Sequence, residues 1–184
     1  MKIGKVFTID SQKNKLGELS VGVGIDIFKN FSRENRKKSI YTSIPTGFCW
    51  EYHTAKGDLH EVEIFEDNKN IFAYPSPNMD LMIVLFDYNS NHYPHPNNLV
   101  VFEPNGQVKH IVSIPKLLSE EAKRNADNPF GERKEGVFYK IGWIEEKDLI
   151  MYVNIDFGCE MTEVREFDPY NGVIGEIIRV SGRY

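Results

Sequence analysis

Leu99-Val100-Val101-Phe102-Glu103-Pro104-Asn105-Gly106-Gln107-Val108-Lys109-His110-Ile111-Val112 decides the fold class of this chain. Two β-rich runs flank Glu103-Pro104-Asn105-Gly106. Asn-Gly between such runs is the strongest short-range hairpin signal, because both residue types accept the positive φ of a tight turn. Just upstream, Leu81-Met82-Ile83-Val84-Leu85-Phe86 is an uninterrupted apolar run. It has the length of a buried strand and is far too short to cross a bilayer.

The same punctuation extends in both directions. Phe48 to His53 and Leu59 to Phe65 flank Thr54-Ala55-Lys56-Gly57-Asp58, a second hairpin with Gly57 at the positive-φ position. Lys5 to Ile9 and Leu16 to Ile25 form an opening hairpin around the polar stretch 10–15. Val137 to Ile144, Leu149 to Phe157, Met161 to Phe167 and Val173 to Val180 continue as a meander. Helix is scarce. Pro115 to Ala126 predicts one, with proline in the first turn, Leu117, Leu118 and Ala122 on one face, and Asn128-Pro129 past its end. Asp26 to Lys38 predicts a second, with Ile27, Phe28 and Phe31 at helical spacing and a solvated basic tail, Arg33 to Lys38. The fold class is mainly β, an antiparallel meander or sandwich-like sheet with one or two short helices, in a single domain over 1–184.

One internal similarity stands out. Asp80-Leu81-Met82-Ile83-Val84 followed by Phe102-Glu103-Pro104-Asn105-Gly106 is echoed by Asp148-Leu149-Ile150-Met151-Tyr152 followed by Phe167-Asp168-Pro169-Tyr170-Asn171-Gly172. Two similar hairpin units thus occupy the C-terminal two-thirds. The Phe-acid-Pro-x-Asn-Gly hairpin resembles the outer hairpin of a β-propeller blade. The resemblance concerns the building unit alone and implies no activity, and two partial copies fall short of a closed propeller. An ordinary turn solved twice in the same way explains the similarity equally well.

At 184 residues and 21.3 kDa, with 41% hydrophobic and 27% charged residues, the chain has a globular composition. A domain of this length buries roughly 70% of its unfolded surface and needs no metal or disulfide to hold its core. The net charge of −5 disfavours a general nucleic-acid binder and suits a basic partner. The N-terminus, Met1-Lys2-Ile3-Gly4-Lys5-Val6-Phe7, lacks an apolar signal region, so the expected location is the cytoplasm. Cys49 and Cys159 stand far apart without CxxC spacing and read as reduced, partly buried thiols.

No catalytic motif emerges. Cys49 lies four residues from His53 but lacks a nucleophile elbow, and Gly22-Val23-Gly24 lacks the third glycine of a dinucleotide turn. Glu120-Glu121 and Glu145-Glu146 read as solvated surface. His53 and His60 bracket the second hairpin with Glu51, Glu61 and Glu63 nearby, so a metal- or ligand-binding β-protein is one alternative, although an exposed hairpin tip explains these residues without a metal. The loop Asn89-Ser90-Asn91-His92-Tyr93-Pro94-His95-Pro96-Asn97-Asn98 carries two stiffening prolines and two imidazoles. A stiff loop loses little freedom on docking. The expected contact residues are therefore Tyr74, Asp80, His92, Tyr93 and His95, from this loop and from 74–80. The expected function is a small acidic protein-binding module, an inhibitor or immunity-type protein that covers a bacterial toxin or other basic partner. No catalytic residue, metal or cofactor enters this reading, and a self-associating structural domain is the further alternative.

Overall fold

The computed structural model describes residues 1–19, 21, 46–66, 71–145, 148–158 and 160–182. The predicted helix at 26–38 with its basic tail, Gly22-Val23-Gly24 and Cys159 fall outside them, as does most of the second opening strand beyond Glu18.

The chain is mainly β, with three four-stranded antiparallel sheets. The first contains β1 (Lys2–Ile9), β2 (Lys15–Glu18), β3 (Gly47–His53) and β4 (Leu59–Phe65), in the order β2-β1-β3-β4. The second is a simple meander of β5 (Ile71–Pro75), β6 (Met82–Phe86), β7 (Leu99–Phe102) and β8 (Val108–Val112). The third repeats that meander with β9 (Val137–Glu145), β10 (Leu149–Asp156), β11 (Thr162–Asp168) and β12 (Val173–Ser181). The helix α1 (Glu120–Asp127) lies between the second and third sheets in sequence.

The second sheet is the middle layer. Every residue of β6 and β7 is buried, which an unbroken apolar run requires when both faces of a sheet are covered. Its first strand, β5, lies against β3 on one side and β9 on the other. Each flanking sheet docks a tryptophan onto it. Trp50 of β3 donates its indole N–H to the Pro104 carbonyl at 2.8 Å and packs its ring 6.3 Å from that of Phe102. Trp143 of β9 donates to the Pro75 carbonyl at 2.9 Å and meets Tyr74 edge-on at 5.4 Å. A buried indole that lacked its acceptor would carry a desolvation cost, so each proline carbonyl fixes where its tryptophan settles.

A second relation repeats along the series. The β7–β8 turn leans on β4, where a Cβ at Gly106 would come within 2.8 Å of Val62. The β11–β12 turn leans on β8, where a Cβ at Gly172 would come within 2.9 Å of His110. Both glycines have positive φ, 83° and 67°, so backbone conformation and close approach demand the same residue. The Asn-Gly echo in the sequence therefore marks an equivalent position in successive sheets. The β3–β4 hairpin also turns on a positive-φ glycine, Gly57 at φ 88°, but among the described residues a Cβ there would approach no neighbouring sheet. Its turn reads Thr-Ala-Lys-Gly-Asp, with the Thr54 hydroxyl accepting from the Lys56 and Asp58 amides, and so lacks the Pro-x-Asn-Gly signature.

Two sequence expectations need correction. Residues 71–75 form β5, so Tyr74 and Pro75 belong to a strand rather than to the contact segment expected over 74–80; Pro75 is tolerated there because β5 is a sheet edge. The helix begins after Ser119 rather than at Pro115. Ser119 is its N-cap and accepts from the Ala122 amide at 3.2 Å, while Glu120 and Glu121 occupy the first turn. Leu117 and Leu118 precede the helix. The Leu118 and Ser119 amides instead donate to the fully buried Glu163 carboxylate at 2.8 and 2.7 Å. Arg165 donates to the same carboxylate and to the Lys116 carbonyl, completing the seat of this segment.

Candidate functional site

The expected contact residues separate to opposite ends of the middle sheet. Asp80 lies in the turn before β6 and His92 in the loop after it, and five strand residues span roughly 15 Å. They do not form one surface.

Tyr74 is removed from the contact set. It belongs to β5, is 0% exposed and packs against Trp143. Asp80 is partly exposed but committed to the fold. Its carboxylate accepts from the Ser76 and Tyr170 hydroxyls, both at 2.8 Å, with the Lys2 ammonium 3.6 Å away. Burial pushes this carboxyl up, but the hydrogen bonds from Tyr170 and Ser76 outweigh it and hold it below its ordinary value. A tie from the middle sheet to the first strand and to the β11–β12 turn is a fastening of layers.

The loop at the other end, 87–98, is built around a carboxylate that the sequence reading missed. Glu66 follows β4 directly and is 0% exposed. It accepts a short hydrogen bond from the Ser90 hydroxyl, lies 3.0 Å from His92 Nδ1 and takes a longer bond from the Asn91 amide. Burial pushes the Glu66 carboxyl up, but these hydrogen bonds from Ser90, His92 and Asn91 bring it below its ordinary value, so it stays charged at neutral pH. The Ser90 hydroxyl oxygen in turn accepts from the His92 and Tyr93 amides at 3.1 and 2.9 Å. Tyr93 is partly buried and seats the loop on the core, its ring 4.9 Å from that of Phe86. His92 projects outward with 65% of its side chain exposed. The Glu66 carboxylate on Nδ1 fixes the orientation of this exposed ring.

His95 stacks on Tyr88 with ring centres 4.6 Å apart, and its buried Nδ1 has no hydrogen-bond partner. Burial holds its pKa below the ordinary histidine value, with Glu135 opposing in part, so the ring is neutral at neutral pH. Both rings line an open cleft of about 690 Å³ together with Arg133, Lys134, Glu135, Gly136, Val137, Tyr139 and Asp156. Arg133 pairs with Asp156, and Tyr88 and Tyr139 are exposed.

The histidine pair proposed for a metal does not converge. Tyr52 pairs with His60 and His53 with Leu59, so the two imidazoles project from opposite faces of the hairpin. His60 stacks on Tyr52 instead, with ring centres 5.3 Å apart. Among the described residues, no group of three or more His, Cys, Asp and Glu side chains is placed to hold a metal ion. Cys49 is buried, and that burial pushes its thiol up to about 11, which keeps it protonated and unreactive at neutral pH. Among the described residues no helix is long and apolar enough to cross a membrane.

Compared with protein-family models, with curated proteins and with solved structures, the chain matches none.

Proposed function

We propose that this protein is a binding module that covers a surface of another protein, with the 87–98 loop as its contact element. The observation that supports this reading is the buried Glu66 carboxylate, whose hydrogen bonds go to three consecutive residues of a surface loop, Ser90, Asn91 and His92. Withdrawing a charge from water costs several kcal/mol before its partners compensate. Here the compensation fixes the shape of an exposed loop, and a loop already held in its bound shape loses little entropy on docking. Asn91 and His92 are the exposed polar groups so presented. The net charge of −5 favours a basic partner, and electrostatic attraction speeds such an encounter. An inhibitor or immunity-type role, covering the active surface of a bacterial toxin inside the cytoplasm, is the form of this activity that the size and charge favour.

The test is affinity capture from a lysate of the source organism, at low and high salt, with the wild type and an Asn91→Ala/His92→Ala double variant. One stoichiometric basic protein, retained by the wild type, weakened by salt and lost with the double variant, is the expected result. Capture of no protein overturns the binding reading, and equal capture by both forms overturns the loop as its contact element.

A further inference from the structure

We infer that the groove where the third sheet meets the 76–80 turn is a docking site for an arginine side chain carried on a segment of a partner protein. The groove holds about 560 Å³, and none of its lining residues belongs to the 87–98 loop. The inference therefore goes beyond the proposed function and stands without it. Pro77, Leu149, Ile150, Pro169, Tyr170 and Val173 give the groove apolar walls, and Leu149, Tyr170 and Val173 are large side chains left exposed there. The Tyr170 hydroxyl accepts from Asn78 Nδ2 and donates to Asp80, both at 2.8 Å, which fixes the ring in place. Gly175 also lines the groove, inside the β-branched run of β12. A Cβ there would sit 3.4 Å from the Cβ and 3.6 Å from Oε2 of Glu166, so that side chain lies alongside the glycine. A glycine inside a strand marks a place where another group comes close.

Charge complementarity selects the occupant. Glu166 and Asp168 are the only charged residues among the described ones that line the groove, and no lysine, arginine or histidine joins them. Asp168 keeps its charge but is committed to its turn, accepting from the Tyr170 and Asn171 amides and from Asn171 Nδ2. Glu166 forms no hydrogen bond or ion pair with another described residue, so its carboxylate is the free acceptor. The cleft walled by Tyr88 and Tyr139 differs, since it carries both signs and its Arg133 already pairs with Asp156. Phosphates of a nucleic acid or of a lipid surface meet two carboxylates in the groove and are repelled. A cation on an apolar stem satisfies both the walls and the charge. Arginine does so better than lysine. Its guanidinium is weakly hydrated, stacks on a tyrosine ring and makes two parallel hydrogen bonds to one carboxylate, whereas an ammonium is a strongly hydrated point charge.

Nuclear magnetic resonance on the isotope-labelled full chain tests it. The probe is a short peptide carrying one arginine between two leucines, with matched peptides that carry lysine or citrulline in its place, and free spermidine beside them. The arginine peptide should shift the amides of residues 149–151 and 166–175 and leave those of 87–98 unmoved. The citrulline peptide keeps the shape and loses the charge, and should bind at least tenfold more weakly, with lysine between the two. Glu166→Gln should raise the dissociation constant of the arginine peptide about tenfold, as loss of one charge-assisted hydrogen bond does. Val173→Arg brings a guanidinium of the chain's own to the groove and should abolish the shifts. Urea midpoints of both variants should match the wild type, because both side chains are exposed. Absence of shifts at these amides up to millimolar peptide, equal binding of the arginine and citrulline peptides, or indifference to Glu166→Gln would each overturn the inference. Shifts of the same amides by spermidine at equal or lower concentration would also overturn it, making the groove a site for free amines.

Discussion

The two ends of the middle sheet use the same chemistry for different ends. At the end holding the 76–80 and 103–106 turns, both tryptophans reach proline carbonyls, and Asp80 gathers Tyr170, Ser76 and Lys2. Every tie there except Ser76 runs from one sheet to another. At the opposite end Glu66 is more deeply buried than Asp80, yet it organises a stretch of surface loop. A buried polar group is thus read by what it ties down. Where it joins layers it accounts for the fold, and where it shapes an exposed loop it points to recognition.

That contrast breaks first at Trp50. Replacing this fully buried side chain with alanine should lower unfolding free energy by about 4 kcal/mol, combining lost transfer energy with a cavity between two sheets. Native-state hydrogen exchange should still show the 91–93 amides protected relative to the new global stability. Glu66→Ala should cost about 3 kcal/mol, because it strands the Ser90 hydroxyl and the Asn91 amide without their acceptor. Its local signature should be faster exchange of the Asn91, His92 and Tyr93 amides. Unchanged exchange there would remove Glu66 as the organiser of the loop. Asp80→Ala should cost only about 1 kcal/mol, since Asp80 is partly exposed and its hydrogen-bond partners can reach water. Denaturant titration measures all three.

The strands were legible because their patterns are local. Leu59–Phe65 and Leu99–Phe102 have the predicted ends, and Asn105-Gly106 turns where it should. β5 escaped because Ile71-Phe72-Ala73-Tyr74-Pro75 is short, closes on proline and adjoins polar residues, all of which read as loop. The helix start was legible in Ser119-Glu120-Glu121, but Pro115 competed with it as a first-turn signal. Burial by Glu163, more than forty residues away in sequence, decided between them. The site was less legible still. Glu66 precedes Asp67-Asn68-Lys69-Asn70, and nothing local marks its carboxylate as buried. Its bonds to Ser90 and His92 arise only when the first sheet packs on the second. The fate of Asp80 and His92 was hidden for the same reason: a strand that joins two loops also holds them apart.

The smallest effect separates His95 from the two carboxylates by pH. Burial keeps the folded His95 pKa below its ordinary 6.5, so above that pH the ring is neutral in both states and makes no difference to stability. As pH falls below 6.5, the unfolded chain takes up this proton first, and stability declines until the folded ring also titrates. Glu66 and Asp80 act later. Their folded values lie below the ordinary 4.5 and 3.8, so the stability they contribute is present above those values and is lost as pH falls through the lowered ones. Urea midpoints measured against pH should therefore fall in successive stages. His95→Phe should flatten the stage that begins at 6.5 and keep the acidic ones, since an apolar ring can still stack on Tyr88 and leaves no buried nitrogen without a partner. Glu66→Gln should do the reverse, flattening the stage below 4.5 while the His95 stage remains. If instead His95→Phe leaves the first stage intact, the decline belongs to another group and the cleft wall is not its source.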